Sequence, residues 1–300
     1  MMKKYKGIII TIDNDDTLSY ETNSILKKII NFFLVPILNL LPSGFQKLIK
    51  KSHRQTGEVI ENATTYKAIE ILYNYGYQHE SKKLTQKIMH KIWFDFNNSK
   101  AIRNRLKLVK RELKKSIDKL SNCQSNINLL SIASGSARAV IEVLSQLKLP
   151  NNKIFVKFLD KNNDANKHSQ KLARSYLGSN LNNYDLDWIT DTISGFSKYY
   201  RGQKVDIVEM VGILDYFNDN QVLKTFSLIF DNLSDNGVLI TSNISDNKER
   251  KFITKIIGWP MIYRTAEDLI ELALRAGFDD KKIKVIYEPL KIHGLLIAIK

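Results

Sequence analysis

Residues 129–140 read LLSIASGSARAV. The longer run NLLSIA (128–133) is apolar and suits a buried strand, and a helical pattern follows from about Ala137 to Leu147. Between them stand Ala133, Ser134, Gly135, Ser136 and Ala137, all small. Small residues at a strand-to-helix turn let the backbone approach a bound group, and glycine accepts a left-handed conformation there. The stretch predicts a ligand-binding corner at the carboxyl end of a strand. Small residues placed only for helix–strand packing would give the same pattern.

Downstream, strand-like runs alternate with helical ones. KIFVKFLD (153–160) precedes a helix from about Asp164 to Tyr176; LDWIT (186–190) and VDIVEM (205–210) precede a helix from about Asn220 to Asn232. GVLITSN (237–243) precedes the amphipathic stretch Thr265–Arg275, which Gly277 stops. The chain then runs through KIKVIYEP (282–289) and GLLIAIK (294–300) with no helix between them. Alternation of this kind specifies an α/β fold with a mainly parallel sheet of seven strands, and the last two strands form an antiparallel hairpin.

Upstream, residues 20–121 read as helical: Thr64–Tyr75, Ser81–Phe94 and the basic Ala101–Leu120, with Ile102, Leu106, Val109, Leu113, Ile117 and Leu120 on one stripe. The polar SNCQSN (121–126) marks a boundary. The expected division is a basic helical cap over residues 1–121 and a catalytic domain over 122–300. Ile29–Leu41 (IINFFLVPILNLL) is too short and too interrupted to span a bilayer, and is expected as a buried or lid helix supplying apolar surface to an acceptor.

Bulk properties narrow the function. The net charge is +15, and residues 1–125 hold 23 Lys and Arg against 11 Asp and Glu. Such a cap suits an anionic partner: a membrane surface, an acidic carrier protein or, with less support, nucleic acid. Ordinary solvated lysines are the plain alternative. One cysteine, Cys123, excludes an internal disulfide and a cysteine-rich zinc site. With no secretion signal recognisable, a cytoplasmic, membrane-peripheral location is the expectation. The five histidines show no ligand spacing, so no metal is expected.

Asp160 ends the second strand, 25 positions after Gly135, a spacing at which an acid accepts from ribose hydroxyls in nucleotide-binding units. The strand VDIVEMVG (205–212) brings Glu209, Met210 and Gly212 to its carboxyl end, where open α/β sheets bind ligands. Taken together, SIASGSAR, KFLD and VDIVEM resemble the motifs of class I S-adenosylmethionine-dependent methyltransferases, with their Rossmann-like sheet. Ala133, Gly135 and Ala137 take the three glycine positions, and Ser131 stands where an acid is usual. The resemblance implies S-adenosyl-L-methionine as cofactor, held by Ser131, Ala133, Ser134, Gly135, Ser136, Asp160, Glu209, Met210 and Gly212.

AIRNRL, GILDYF, TSNIS and GWPMIYRT further resemble the bacterial methyltransferases that make 3-hydroxy fatty acid methyl ester signals. Ile213, Leu214, Asp215 and Tyr216 match one segment of that group; Trp259, Tyr263 and Arg264 match another, with Gly258 in place of its acid. The resemblance implies a small or lipid-like acceptor, with Asp215, Tyr216, Tyr263 and Arg264 as its partners. Two other readings stay open: an RNA or protein methyltransferase docking through the basic cap, and a non-catalytic cofactor-binding module.

GIIITIDNDDTL (7–18) also resembles the nucleophile motif of haloacid-dehalogenase phosphatases, with Asp13 as nucleophile and Asp15 as acid/base. The helical pattern that follows offers no second sheet to complete such a site, so this reading ranks last.

Overall fold

In the computed structural model, which describes residues 2–300 apart from 53, 75–90, 92, 149–151 and 201, the apolar runs become strands β3 (Asn126–Ile132), β4 (Lys153–Asp160), β5 (Tyr184–Thr190), β6 (Val205–Val211), β7 (Leu233–Ile244), β8 (Ile283–Tyr287) and β9 (His293–Ile299). Two further strands precede them, β1 (Met2–Tyr5) and β2 (Ile8–Ile12). The helices are α1 (Ile25–Leu40), α2 (Phe45–Ser52), α3 (Arg54–Glu61), α4 (Tyr66–Tyr73), α5 (Asn97–Ser121), α6 (Arg138–Leu144), α7 (Asn163–Leu177), α8 (Asp219–Asn232), α9 (Arg250–Phe252) and α10 (Ala266–Arg275).

All nine strands form one sheet in the order β1-β2-β8-β9-β7-β6-β3-β4-β5. β3 to β7 run parallel, and β9 lies antiparallel between β7 and β8. The terminal hairpin is as the sequence predicts. Among the described residues the count of seven is corrected to nine: β1 and β2 form an antiparallel pair, and β2 adds to the β8 edge in parallel, with Ile9 opposite Lys284. The physical reason lies at Lys6 and Gly7, whose φ values of 49 and 82° suit a tight two-residue hairpin turn. Ile8 and Ile10 then point inward and are buried. The strand seen in GIIITI is therefore an extension of this sheet.

Chain order reverses at β3, which has β4 on one side and β6 on the other. That reversal opens a crevice at the carboxyl ends of β3 and β6. One face of the sheet packs on α8 and α10 through residues such as Phe226, Ile229, Leu269 and Phe278. The other packs on α5, α6 and α7 through Leu113, Ile117, Ile141 and Ala173. A third core joins the cap to the sheet domain: Val59, Ile60, Ala68, Leu72, Phe94 and Phe96 pack with Phe252, Ile256 and Trp259.

The cap helices match the expected ones closely; the expected Ser81–Phe94 helix lies mostly outside the described residues, as do His53, His79 and His90. The expected burial of Ile29–Leu41 is corrected. Within α1 only Asn31 and Val35 are buried, and its large apolar side chains face outward. Its polar side docks: Asn39 donates to the Lys248 carbonyl at 2.8 Å and accepts from the Phe252 amide at 2.9 Å. These bonds turn the apolar stripe toward solvent.

Candidate active site

The corner after β3 has the backbone that the motif requires. Ala133, Gly135 and Ala137 all sit in the left-handed region, with φ of 51, 54 and 53°. The two alanines therefore do the conformational work of glycines, at a cost of about 1–2 kcal/mol each. The loop is braced by Ser134 N donating to Leu159 O at 3.1 Å, and its Ser134 hydroxyl is buried without a hydrogen-bond partner. A Cβ on Gly135 would lie 3.4 Å from Tyr66 of α4, so the cap reaches directly over the loop.

Asp160 has a more structural part than a free ribose acceptor. Its Oδ2 accepts from Gly135 N and its Oδ1 from Asn162 N, both at 2.8 Å. Each oxygen keeps a lone pair for a ligand. The cap of α7 is Asn162, which accepts from Asp164 N at 2.9 Å.

Across the crevice, Ser131 lies opposite Glu209, and its hydroxyl donates to Glu209 Oε2 at 2.6 Å. Burial pushes the Glu209 carboxyl up to about 7, against the Ser131 hydrogen bond and the Arg105 charge that lower it. Ser131 thus acts behind the wall, through Glu209. Met210 is fully buried in the sheet's core and does not line the cavity. Gly212, at φ 92°, faces the Arg105 guanidinium, whose Nη2 lies 3.7 Å from the position of an added Cβ.

Arg105, one cation among many on a basic helix, carries no sequence signal of its own. It lies on α5 and is buried, with Tyr73, Asp215 and Tyr216 close enough to stabilise its charge. Its Nε has no hydrogen-bond partner. His293 also lines the cavity; it is buried and neither ring nitrogen has a partner. Burial and the Arg105 charge hold its pKa well below the ordinary value, so it is neutral. Buried polar atoms without partners are uncommon. Arg105 Nε, Ser134 Oγ and the His293 nitrogens on one cavity fit a polar ligand.

The expected acceptor residues separate into two pairs. Asp215 and Tyr216 line the cavity. Asp215 Oδ1 accepts from Ile244 N at 2.8 Å, and burial raises its pKa. Tyr216 accepts from Trp259 Nε1 at 2.6 Å, and burial pushes its hydroxyl up to about 12. Tyr263 and Arg264 do not line it. Tyr263 stacks under Arg250, 4.3 Å from its guanidinium. Arg264 is committed to structure: it donates to Asp219 Oδ1 at 2.8 Å, Leu214 O at 2.9 Å and Asn243 Oδ1 at 2.8 Å.

The cavity has a volume of about 1070 Å³. One part follows the corner, Asp160 and the segment Asp191–Ser194; another is lined by Leu72, Phe94, Phe96, Phe252, Trp259 and Met261. Arg105, Glu209 and Gly212 also line it. Asp13 and Asp15 do not: Arg111 pairs with both, at 2.6 and 3.2 Å, and Tyr20 donates to Asp13. No cluster able to hold a metal ion exists among the described residues.

Solved structures share this architecture. A protein described as a "possible exported protein" from Bordetella parapertussis aligns with a TM-score of 0.62 at 13% identity, covering 80% of each chain. Magnesium protoporphyrin IX methyltransferase from Synechocystis, with bound SAH, aligns at 0.54 and 13% identity over 82% of this chain and 99% of that one. The CurJ carbon methyltransferase aligns at 0.54 and 14% identity, over 82% and 66%. At these identities the likeness is one of fold. No curated protein matches the sequence. The family described as "Putative methyltransferase" matches residues 59–297, so α4 and α5 fall within its extent along with the sheet domain. With this family match, the strand order and the corner after β3, the chain belongs to that family and is a class I, S-adenosylmethionine-dependent methyltransferase.

Proposed function

We propose that the enzyme methylates the carboxylate of an acid with an apolar chain, of the hydroxy fatty acid kind, and that Arg105 rather than Arg264 meets the carboxylate. The observation that carries this is a buried arginine with an open Nε on the wall of a cavity whose other part is aromatic and aliphatic. A buried guanidinium favours a planar anion that can take two of its donors. The apolar lining gives an alkyl chain a place out of water.

The cofactor fits the remaining part of the cavity. The corner Ala133–Ala137 brings backbone within reach of a ligand, Ser134 offers an unused hydroxyl, and Asp160 keeps acceptor capacity at the end of β4. When bound, S-adenosylmethionine supplies an electrophilic methyl group on a sulfonium. The protein's own task is then positional. A carboxylate is ionised at neutral pH, so its oxygen needs no base to attack. Arg105 would hold the carboxylate, Tyr73 and Asp215 would hold Arg105 in place, and the cap helices would keep water out of the acceptor side through α4 and α5.

The test is cofactor turnover by the whole chain against a panel of 3-hydroxy fatty acids, short polar carboxylic acids, RNA and protein extracts. Turnover with the fatty acids and none with the other classes is expected. Turnover only with RNA or protein would move the function to that class, and cofactor binding without turnover on any acceptor would make the chain a binding module.

A further inference from the structure

Ten of the thirteen large hydrophobic side chains exposed on the described surface lie between Ile25 and Leu48. On α1 they fall at Ile25, Leu26, Ile29, Ile30, Phe32, Phe33, Ile37 and Leu40, which at 100° per residue make one broad helical face. Leu40 is 83% exposed, Ile25 78% and the two phenylalanines over 60%. The stripe continues into α2 with Phe45 and Leu48. A contiguous apolar face of this kind on a folded chain marks a contact surface.

We propose that this face of α1, with Phe45 and Leu48, seats the protein on an anionic lipid bilayer. The charge around it selects that occupant. Between Glu21 and Glu58 the chain has no acidic residue and carries Lys27, Lys28, Lys47, Lys50, Lys51 and Arg54. Three of these have acidic partners: Lys27 pairs with Asp95, Lys50 with Glu61 and Arg54 with Glu58. Lys28, Lys47 and Lys51 are exposed, and Lys248 stands 5.7 Å from the Phe32 ring centroid. Aromatic and aliphatic side chains rimmed by lysines match an interfacial helix, whose apolar face enters the headgroup boundary while its cations meet lipid phosphates.

Other occupants fit less well. A second copy would set two lysine-rimmed faces against each other. An acidic carrier would answer the lysines and leave the phenylalanines in water. Crossing the bilayer is excluded for α1: its 16 residues span about 24 Å, short of a hydrocarbon core of about 30 Å. No helix among the described residues is long and apolar enough to cross a membrane. The docking helix is tied to the enzyme, because Asn39 bonds the backbone at Lys248 and Phe252, and Phe252 lines the apolar part of the cavity.

The test is co-sedimentation of the full chain with vesicles of phosphatidylcholine alone and of phosphatidylcholine mixed equally with phosphatidylglycerol. It is run beside the double variant Phe32→Asp, Phe33→Asp, with circular dichroism to check folding; both side chains are exposed, so the fold should tolerate the change. Binding to the anionic vesicles, weakened by salt and by neutral lipid and reduced about tenfold or more in the variant, is expected. Absence of vesicle binding by the wild type overturns the proposal, as does equal binding by the variant. A dimer that the variant dissolves, or binding of an acidic carrier without binding of vesicles, assigns the face elsewhere and overturns it too. The proposal stands apart from the acceptor reading, since methyl transfer to a dissolved acid is expected to survive in the variant.

Discussion

Glu70 of α4 and Arg138, the first residue of α6 beyond the cofactor corner, form a buried two-pronged ion pair at 3.0 and 2.5 Å. Asn74, Tyr176 and Glu142, the last at 3.1 Å, complete the arginine's partners. The pair ties the cap to the helix that carries the glycine corner.

Replacing Glu70 by Ala leaves Arg138 buried with Glu142 as its remaining counter-charge, which costs up to about 3–5 kcal/mol. Denaturant unfolding checks this, and a loss below about 1 kcal/mol would show the pair to be incidental. A truncation that removes residues 1–100 takes away Glu70 and also β1 and β2, so it should be strongly destabilised. The sequence alone suggests the opposite, a catalytic domain that binds cofactor without its cap.

The same pair gives a pH signature. Burial would raise the Glu70 carboxyl, but the imidazole of His168, 3.7 Å away, and the two hydrogen bonds from Arg138 outweigh it and bring it down to about 2, from 4.5. A depressed acid contributes stability that is present above its unfolded value and lost as pH falls toward its folded value. Wild-type stability should therefore fall between about pH 4.5 and 2 by up to roughly 3 kcal/mol from this group alone. Glu70→Gln should flatten that part of the profile.

Glu209 works with the opposite sign. Its carboxyl is raised to about 7, so the folded state holds a proton that the unfolded state releases above pH 4.5. Its contribution to stability should decline from pH 4.5 to 7, and Glu209→Gln should remove the decline. An ionised Glu209 also favours a cationic ligand over a neutral one. The affinity for S-adenosylmethionine relative to its demethylated product should rise across pH 7 in the wild type and stay level in the variant, measured by titration calorimetry.

Ala133 occupies a left-handed position that glycine accepts without strain. Ala133→Gly should stabilise the protein by up to about 1 kcal/mol, the relief of strain being partly offset by the greater freedom of glycine in the unfolded chain. Thermal unfolding gives the sign. A lower melting temperature would mean that the Ala133 methyl group packs better than its backbone suggests.

Asp160→Ala should weaken cofactor binding by about 1–3 kcal/mol. Part of that loss would come through the corner, since the Gly135 amide loses its acceptor. Calorimetry on well-folded variant showing an unchanged dissociation constant would remove Asp160 from the site.

Much of the sheet was legible because its central strands are buried on both faces and read as apolar runs, as at VDIVEM in β6, and because KIFVKFLD, whose bounds are those of β4, alternates around a buried face. The corner was legible through its small residues, even with alanine at two left-handed positions. β1 and β2 were harder, since the turn at Lys6–Gly7 is a weak signal and the partner strand β8 lies more than 270 positions away. Arg105 was hidden for a similar reason. It is one of many cations on a basic helix, and only the packing of α5 over Gly212 distinguishes it. Arg264 shows the converse: a motif position can be held by structure, here the cluster of Asp219, Leu214 and Asn243. α1 misled because amphipathicity does not say which face turns inward; Asn39 decides that.

In the proposed reaction the transferred methyl ends on a carboxylate oxygen held by Arg105. S-adenosylmethionine labelled with carbon-13 at its methyl, incubated with the whole chain and a 3-hydroxy fatty acid, tests it in one nuclear magnetic resonance spectrum. A methyl ester resonance is expected with the wild type. None is expected with Arg105→Leu, which should still bind the cofactor. A label found on nitrogen or carbon, or an ester formed equally well without Arg105, would contradict it.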